Sequence, residues 1–296
     1  MAVITLLDGG LGQELVKRSG DRPTSLWSTQ VMVDHPGIVQ QLHADYFAAG
    51  AGVATTNTYC VHHDRLEGTE LTGRFHDLHD AALTEALGAR PAGKRVAGSI
   101  GPLVASYRPE THPPHDEAVA KYAEVARILG SKVDFIICET VASLAHARAI
   151  LEGAKAGGVP VWLSVTVDDE DGSKLRSGEP VAKVCAVAIA GGAEAVLANC
   201  SAPEAMPAAL AALKASGLPY GAYANGFTQI TKDFLKDKPT VDALHPREDL
   251  TPEAYARHVM AWVDQGATIV GGCCETGPAH ISELARQLTA AGHSLN

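Results

Sequence analysis

The sequence lacks the features that would assign it to a membrane or to nucleic acid. It has no uninterrupted apolar run near the ~20 residues that a membrane helix needs. Its first residues, MAVITLLDGG, lack the basic flank of a signal peptide. It also lacks an excess of positive charge, since 24 Lys and Arg stand against 34 Asp and Glu and give a net charge of −10. Because an acidic surface gains nothing from nucleic acid or an anionic membrane, we expect neither as a partner and predict a small-molecule substrate. The lack of a signal peptide and of a membrane helix predicts a cytoplasmic protein.

Cysteine is also sparse. The 296 residues include 6 cysteines, which are scattered along the chain, unlike the dense cysteines of small secreted disulfide scaffolds. In a reducing compartment such residues are buried hydrophobes, metal ligands or nucleophiles. For Cys60, Cys138 and Cys185 we expect the first of these roles.

Short apolar segments alternate with alanine-rich segments of helical periodicity. We expect strands in VITLLDGG, AGVATTNTY, RVAGSIGP, VDFIICET, PVWLSVTV, AEAVLANCS, LPYGAYANG and ATIVGGCCE. The segments between them, from Pro36 to Ala49 through to Pro252 to Gln265, carry apolar residues three and four positions apart. Strands that read as continuous apolar runs and alternate with helices predict an α/β fold, a single (β/α)8 TIM barrel over residues 1–296.

The alternative fold is an open doubly wound sheet. It would need a GxGxxG phosphate loop after the first strand, and DGGLGQEL does not have that spacing. Two long irregular stretches, Ser19 to Trp27 and Thr228 to Asp249, are expected to be loops over the active face of the barrel.

In such a barrel the active site lies where the strands end and the βα loops begin. Cys200 follows the sixth strand, and Cys273 and Cys274 follow the eighth. Sulfur ligands favour zinc, and three converging thiolates leave a fourth position for an exchangeable ligand, as in catalytic zinc sites. The alternative is that these cysteines are small core residues. Neighbouring residues of a strand point to opposite sides, however, so a plain core would not need both members of the pair.

Several stretches of the sequence resemble a known family. LLDGGLGQEL, SLW followed by ADYFAAGAGVATTNTY, ET after the fourth strand, ANCS and GGCCETGPAHI are similar to the zinc-dependent homocysteine S-methyltransferases. The resemblance runs in the same order from about residue 5 to residue 285. It implies a (β/α)8 barrel in which Cys200, Cys273 and Cys274 bind Zn²⁺ and the zinc deprotonates the homocysteine thiol. The chemistry agrees, because a free thiol has a pKa of about 8.5 and coordination removes its proton.

Other strand-end residues acquire roles from the same resemblance. Asp8 and Glu139 are implied to hold the homocysteine ammonium group, with structural carboxylates as the alternative. Asn225 lies where related enzymes place an asparagine whose oxygen fills the fourth zinc position before the substrate arrives, although Asn-Gly is also a turn signal. Trp27 and Tyr59 are the aromatic residues best placed to attract a cationic methyl donor, by about 0.5–2 kcal/mol per contact, unless they serve only in packing.

The resulting hypothesis is methyl transfer from a small onium donor to homocysteine, forming methionine. S-methylmethionine or S-adenosylmethionine is favoured, because neither the corrinoid modules of cobalamin-dependent enzymes nor the extension of betaine enzymes is expected here. Betaine, another onium compound, a separate corrinoid protein as donor, and another thiol or selenol as acceptor remain alternatives. Ala224 and Phe227 depart from the family pattern around Asn225, so the donor stays open.

Hypotheses from other classes explain less. A non-catalytic zinc- or thiol-binding barrel would have little use for Asp8 and Glu139 together. A metal-free lyase would need a lysine at a strand end, and no predicted strand end offers one. The sequence gives no indication of the oligomeric state.

Overall fold

A computed structural model describes residues 1–228, 230, 235 and 244–296 of the chain. Every predicted apolar segment contains a strand. The strands are β1 Val3–Leu6, β2 Val53–Thr55, β3 Arg95–Ile100, β4 Phe135–Val141, β5 Val161–Val165, β6 Ala195–Asn199, β7 Tyr220–Tyr223 and β8 Ile269–Val270. All neighbouring pairs are parallel and run in order from β2 to β8 and then to β1. An isolated bridge between Leu7 and Val53 joins β1 to β2, so the sheet closes into the predicted (β/α)8 barrel.

One further short strand was not predicted. β9, Ser294–Leu295, pairs with β1 through Val3 and Ile4, at the end of the barrel opposite the strand ends that carry the predicted site. The chain passes so close to β2 here that a Cβ on Gly52 would lie 1.8 Å from the carbonyl oxygen of Asn296. Two residues without an apolar run give no strand signal in the sequence.

The strands read as apolar because the sheet is covered on both faces. Every residue of β5, β6 and β7 is buried. The inward side chains fill the barrel with a core of their own that includes Leu7, Val53, Ile137 and Leu197. The outward side chains pack against the surrounding helices in a second, larger cluster.

The helices surround the barrel. They are α1 Gly12–Ser19, α2 Ser28–Asp34, α3 Ile38–Ala48, α4 His63–Leu66, α5 Phe75–Ala89, α6 His115–Gly130, α7 Leu144–Ala154, α8 Ala182–Gly191, α9 Met206–Leu213, α10 Pro252–Asp264 and α11 Pro278–Ala290. The predicted helical segments correspond to α3, α5 to α8, α9 and α10, whereas α1, α2, α4 and α11 were not predicted. Among the described residues, no helix combines the length and the apolar character needed to span a bilayer.

One of the two predicted loops lies within the described residues. Residues 20–27 between α1 and α2 contain no helix or strand, as expected, and end at Trp27. Most of the stretch from Thr228 to Asp249 lies outside the described residues.

Helix α3 is held in place from both sides. Its N-cap residue, Gly37, has no side chain to cap the helix, and the carboxylate of Glu85 on α5 accepts hydrogen bonds from the backbone of Gly37 at 3.0 Å and Gln40 at 2.8 Å. At the other end, the hydroxyl of Tyr46 lies 2.8 Å from the carbonyl oxygen of Gly10 and 3.1 Å from that of Thr276. The helix therefore supports the loops that follow β1 and β8.

Candidate functional site

The carboxyl ends of the strands open into one cavity. Most of the predicted site residues line it, namely Asp8, Trp27, Tyr59, Glu139, Cys200, Cys273 and Cys274. Asn225 is buried but is not among the lining residues. The other cysteines are buried as expected, at 3% exposure for Cys60, 0% for Cys138 and 7% for Cys185.

Three thiols converge on one side of the cavity. The Sγ atoms of Cys200, Cys273 and Cys274 all lie within 4.8 Å of one another, and those of Cys200 and Cys274 are 3.7 Å apart. A tetrahedral ion with bonds of about 2.3 Å to sulfur separates its sulfur ligands by about 3.8 Å. The spacing of the three cysteines is therefore compatible with a zinc ion, and the group could hold a metal.

The electrostatics of the thiols point the same way. Hydrogen bonds from Cys273 and Cys274 hold the pKa of the Cys200 thiol well below its usual range, because they stabilise its thiolate. Their hydrogen bonds to Cys200 place the pKa values of Cys273 and Cys274 well above the usual range, because each thiol keeps the proton that it donates. Sulfurs this close cannot all ionise unless a cation neutralises them. A soft dication would supply the charge that the group needs.

Close backbone contacts fix the cysteine pair. The backbone N–H of Cys273 donates to the carbonyl of Ala224 at 3.0 Å. A Cβ on Gly10 would lie 2.5 Å from the carbonyl oxygen of Cys273, and one on Gly272 would lie 2.0 Å from Oγ1 of Thr276. Gly10 is required because the loops after β1 and β8 touch each other at this point, and Gly272 is required because the loop after β8 folds back on itself at Thr276.

Two buried carboxylates lie on other walls of the cavity. Asp8 accepts hydrogen bonds from the backbone N–H and the hydroxyl of Thr55, at 2.7 and 2.8 Å. Glu139 accepts hydrogen bonds from the hydroxyls of Ser99 and Tyr223, at 2.5 and 2.9 Å. Burial raises the pKa of each carboxyl to about 7, against the opposing effect of these hydrogen bonds. A cationic group bound in the cavity would stabilise the ionised form of both.

Asn199 lines the cavity and was not among the predicted site residues. Asn199 accepts a hydrogen bond from the backbone of Thr140 and donates one to its hydroxyl, both at 3.0 Å. Thr140 and Cys200 have positive φ angles of 56° and 51°, which are uncommon for residues other than glycine. The hydrogen bonds of Asn199 stabilise the conformation of Thr140, which follows Glu139 in the chain. Asn199 also directly precedes Cys200. Its position in ANCS, at the end of β6, was the available signal.

Tyr107 is a second residue that the sequence did not reveal. Its hydroxyl lies 2.8 Å from Sγ of Cys200, and its side chain is buried. The guanidinium of Arg176 lies 5.3 Å from the centre of its ring and pairs with both carboxylate oxygens of Asp169 at 2.8 Å. Tyr107 is in the loop after β3, and only that location distinguished it in the sequence.

Trp27 and Tyr59 form the aromatic part of the site. The rings of Trp27 and Tyr59 stack, with centres 6.3 Å apart and planes inclined by 11°. Trp27 and the three cysteines also pack in a cluster that includes Tyr107 and Phe227. The side-chain oxygen of Asn225 accepts a hydrogen bond from the backbone of Phe227 at 3.2 Å, the geometry of a turn.

The comparisons with known proteins agree with this geometry. The family model described as homocysteine S-methyltransferase matches residues 5–288. The chain is 31% identical to the homocysteine S-methyltransferase of Escherichia coli (strain K12), over 95% of this chain and 94% of the relative. It is 27% identical to the homocysteine S-methyltransferase YbgG of Bacillus subtilis (strain 168), over 95% and 93%. The metallated form of the homocysteine methyltransferase MmuM from Escherichia coli has a TM-score of 0.78 and 26% identity, over 96% of both chains. This chain belongs to the homocysteine S-methyltransferase family.

Proposed function

We propose that the protein transfers a methyl group from S-methylmethionine or S-adenosylmethionine to homocysteine at a zinc site, forming methionine. Homocysteine as the acceptor follows from the family. The observation that carries the proposal is the meeting of three thiols and two buried carboxylates in one cavity. Homocysteine has the matching pair of ends, a thiol and an ammonium group.

Cys200, Cys273 and Cys274 are the residues that would hold Zn²⁺. Their soft sulfur atoms and close spacing favour zinc over a hard cation such as magnesium. Zinc bound there would lower the pKa of a substrate thiol and keep it as a thiolate at neutral pH. The hydroxyl of Tyr107, next to Cys200, is the neighbour that fixes the orientation of this ligand.

Asp8 and Glu139 are proposed to orient homocysteine through its ammonium group. Both carboxyls are buried and are held by hydrogen bonds from Thr55, Ser99 and Tyr223, so their oxygens are fixed before the substrate arrives. Burial makes an unpaired carboxylate costly here, and an ammonium group removes that cost. The pair therefore selects an amino acid over a simple thiol.

The transfer itself needs positioning more than acid or base catalysis. The homocysteine sulfur attacks the methyl carbon in line with the leaving sulfur. The new carbon–sulfur bond forms as the old one breaks, and the bonding electrons stay on the leaving sulfur. The leaving group is then a neutral thioether and needs no proton. Trp27 and Tyr59 present the ring surfaces that attract a sulfonium, by about 0.5–2 kcal/mol each.

Methionine formation from homocysteine with each donor tests this proposal. We expect turnover with S-methylmethionine or S-adenosylmethionine. The Trp27→Leu variant should raise the KM for that donor, and the Trp27→Phe variant, which keeps a ring surface, should raise it less. Turnover with betaine alone would contradict the choice of donor. Zinc binding without turnover from any small donor would favour a separate corrinoid protein or another thiol or selenol.

Two broader proposals accompany this function. We propose that residues 1–296 act as a single homocysteine-binding domain, because the cavity takes side chains from the first strand through to the cysteine pair after the last barrel strand. We also propose that the protein works in a reducing compartment such as the cytoplasm. All 6 cysteines are free thiols, and oxidation of the three in the cavity would remove the metal ligands.

A further inference from the structure

We propose that His43 is a positioning residue for the ammonium group of homocysteine and that it acts through Asp8. The inference rests on the role proposed above for Asp8. His43 lies on α3, outside the barrel, and is not one of the residues that line the cavity.

His43 faces Asp8 from inside the protein. Its side chain is fully buried, and Nδ1 lies 4.0 Å from Oδ2 of Asp8. Burial lowers the pKa of His43 to about 4, so the ring is neutral at physiological pH and the contact is not an ion pair. A neutral imidazole with its proton on Nδ1 directs an N–H dipole toward this carboxylate oxygen.

His43 is unusual because its polar atoms are not satisfied locally. Among the residues that the structure describes, neither ring nitrogen of His43 has a hydrogen-bond partner. A buried donor or acceptor without a partner destabilises the folded protein, whereas a leucine of similar size has no polar atom to satisfy. Packing alone therefore does not account for a histidine here, and the carboxylate of Asp8 is the group that it faces.

Asp8 has room for this donor. An ionised carboxylate offers about four acceptor positions, and Thr55 fills two of them. An ammonium group in the cavity takes a third. A separation of 4.0 Å exceeds a hydrogen bond, and an approach of about 1 Å between Asp8 and His43 would complete the fourth.

The scaffold around His43 suits a positioning role. Tyr46, one turn further along α3, contacts the loops after β1 and β8, and Glu85 caps the start of the helix. The helix that carries His43 is thus tied to the loop that begins with Asp8. Beyond His43, the polar and charged groups that face Asp8 are Thr55, Glu139 and Tyr46.

The first test compares substitutions of His43. We expect His43→Leu to raise the KM for homocysteine about 10- to 100-fold with kcat nearly unchanged at saturation. His43→Asn, whose Nδ2 can occupy the place of Nδ1, should recover most of this loss. If the leucine variant does not fold, His43→Phe fills the ring volume and serves the same purpose. A matched control is His79→Leu, since His79 is another buried helical histidine whose Nε2 has no hydrogen-bond partner among the described residues, and it does not line the cavity.

The decisive readout uses 4-mercaptobutyrate, which is homocysteine without its amino group. We expect His43→Leu to weaken binding of homocysteine and to leave binding of 4-mercaptobutyrate unchanged, because only the amine requires Asp8. Equal weakening of both ligands, or an unchanged KM for homocysteine, would overturn the inference. So would equal damage in His43→Asn and His43→Leu.

Asp8→Asn separates this inference from the proposed function. If Asp8→Asn abolishes the preference for homocysteine over 4-mercaptobutyrate and His43→Leu does not, only the role of His43 is refuted. If Asp8→Asn also keeps the preference, the role proposed for Asp8 fails, and the inference for His43 fails with it.

Discussion

Replacing Asp8 with asparagine should change how the stability of the protein depends on pH. Burial raises the pKa of Asp8 from 3.8 to about 7. The folded protein therefore binds more protons here than the unfolded chain between these values, and its stability falls as the pH rises through this window. A rise of this size corresponds to about 4 kcal/mol. Asparagine has no proton to lose, so that dependence disappears in the variant.

The assay is urea unfolding of both proteins, with equal metal content and without substrate, at several values from pH 4 to pH 8. Any effect of the substitution that is independent of pH, such as weaker hydrogen bonds to Thr55, cancels when the difference is compared across pH. We expect the stability of the wild-type protein relative to Asp8→Asn to fall by about 4 kcal/mol between pH 4 and pH 8. A stability difference between the two proteins that stays constant from pH 4 to pH 8 would refute the argument that burial raises the pKa of Asp8.

Two further substitutions test other parts of the structure. Tyr107→Phe removes the hydroxyl that lies 2.8 Å from Sγ of Cys200, and we expect metal affinity, measured by competition with a chelator, to fall about 10- to 100-fold; unchanged affinity would contradict this. Glu85→Ala removes both hydrogen bonds that cap α3, and urea unfolding should show a loss of about 1–3 kcal/mol. Glu85→Gln keeps one acceptor and should lose less, so equal losses would argue against capping.

The barrel was predictable because its strands are buried on both faces. That environment leaves continuous apolar runs such as VWLSV in β5, and each predicted run contains a strand. α1 and α2 were not predicted because they are short helices in the connection between β1 and β2, and their sequence has no long stretch of apolar residues at helical spacing. β9 is stabilised by pairing with β1, which two residues of sequence cannot reveal.

The candidate site was predictable where it lies at a strand end. Cys200 directly follows β6, Cys273 and Cys274 come shortly after β8, and the barrel brings the ends of its strands together. Tyr107 could not be found in this way, because its contact with Cys200 depends on the path of a loop. His43 has a place on the buried face of α3, but no periodicity shows that its neighbour is Asp8 and not an apolar side chain.

Zinc content is the measurement that tests the proposed site most directly. It should be determined for the reduced, zinc-supplied wild-type protein, for Cys273→Ala, and for the control Cys185→Ala, which alters a buried cysteine of α8 outside the cavity. We expect one zinc per chain in the wild type and in Cys185→Ala. In Cys273→Ala we expect both the zinc and the formation of methionine to be lost. A wild-type protein without zinc, or a Cys273→Ala variant that keeps both zinc and activity, would contradict the account.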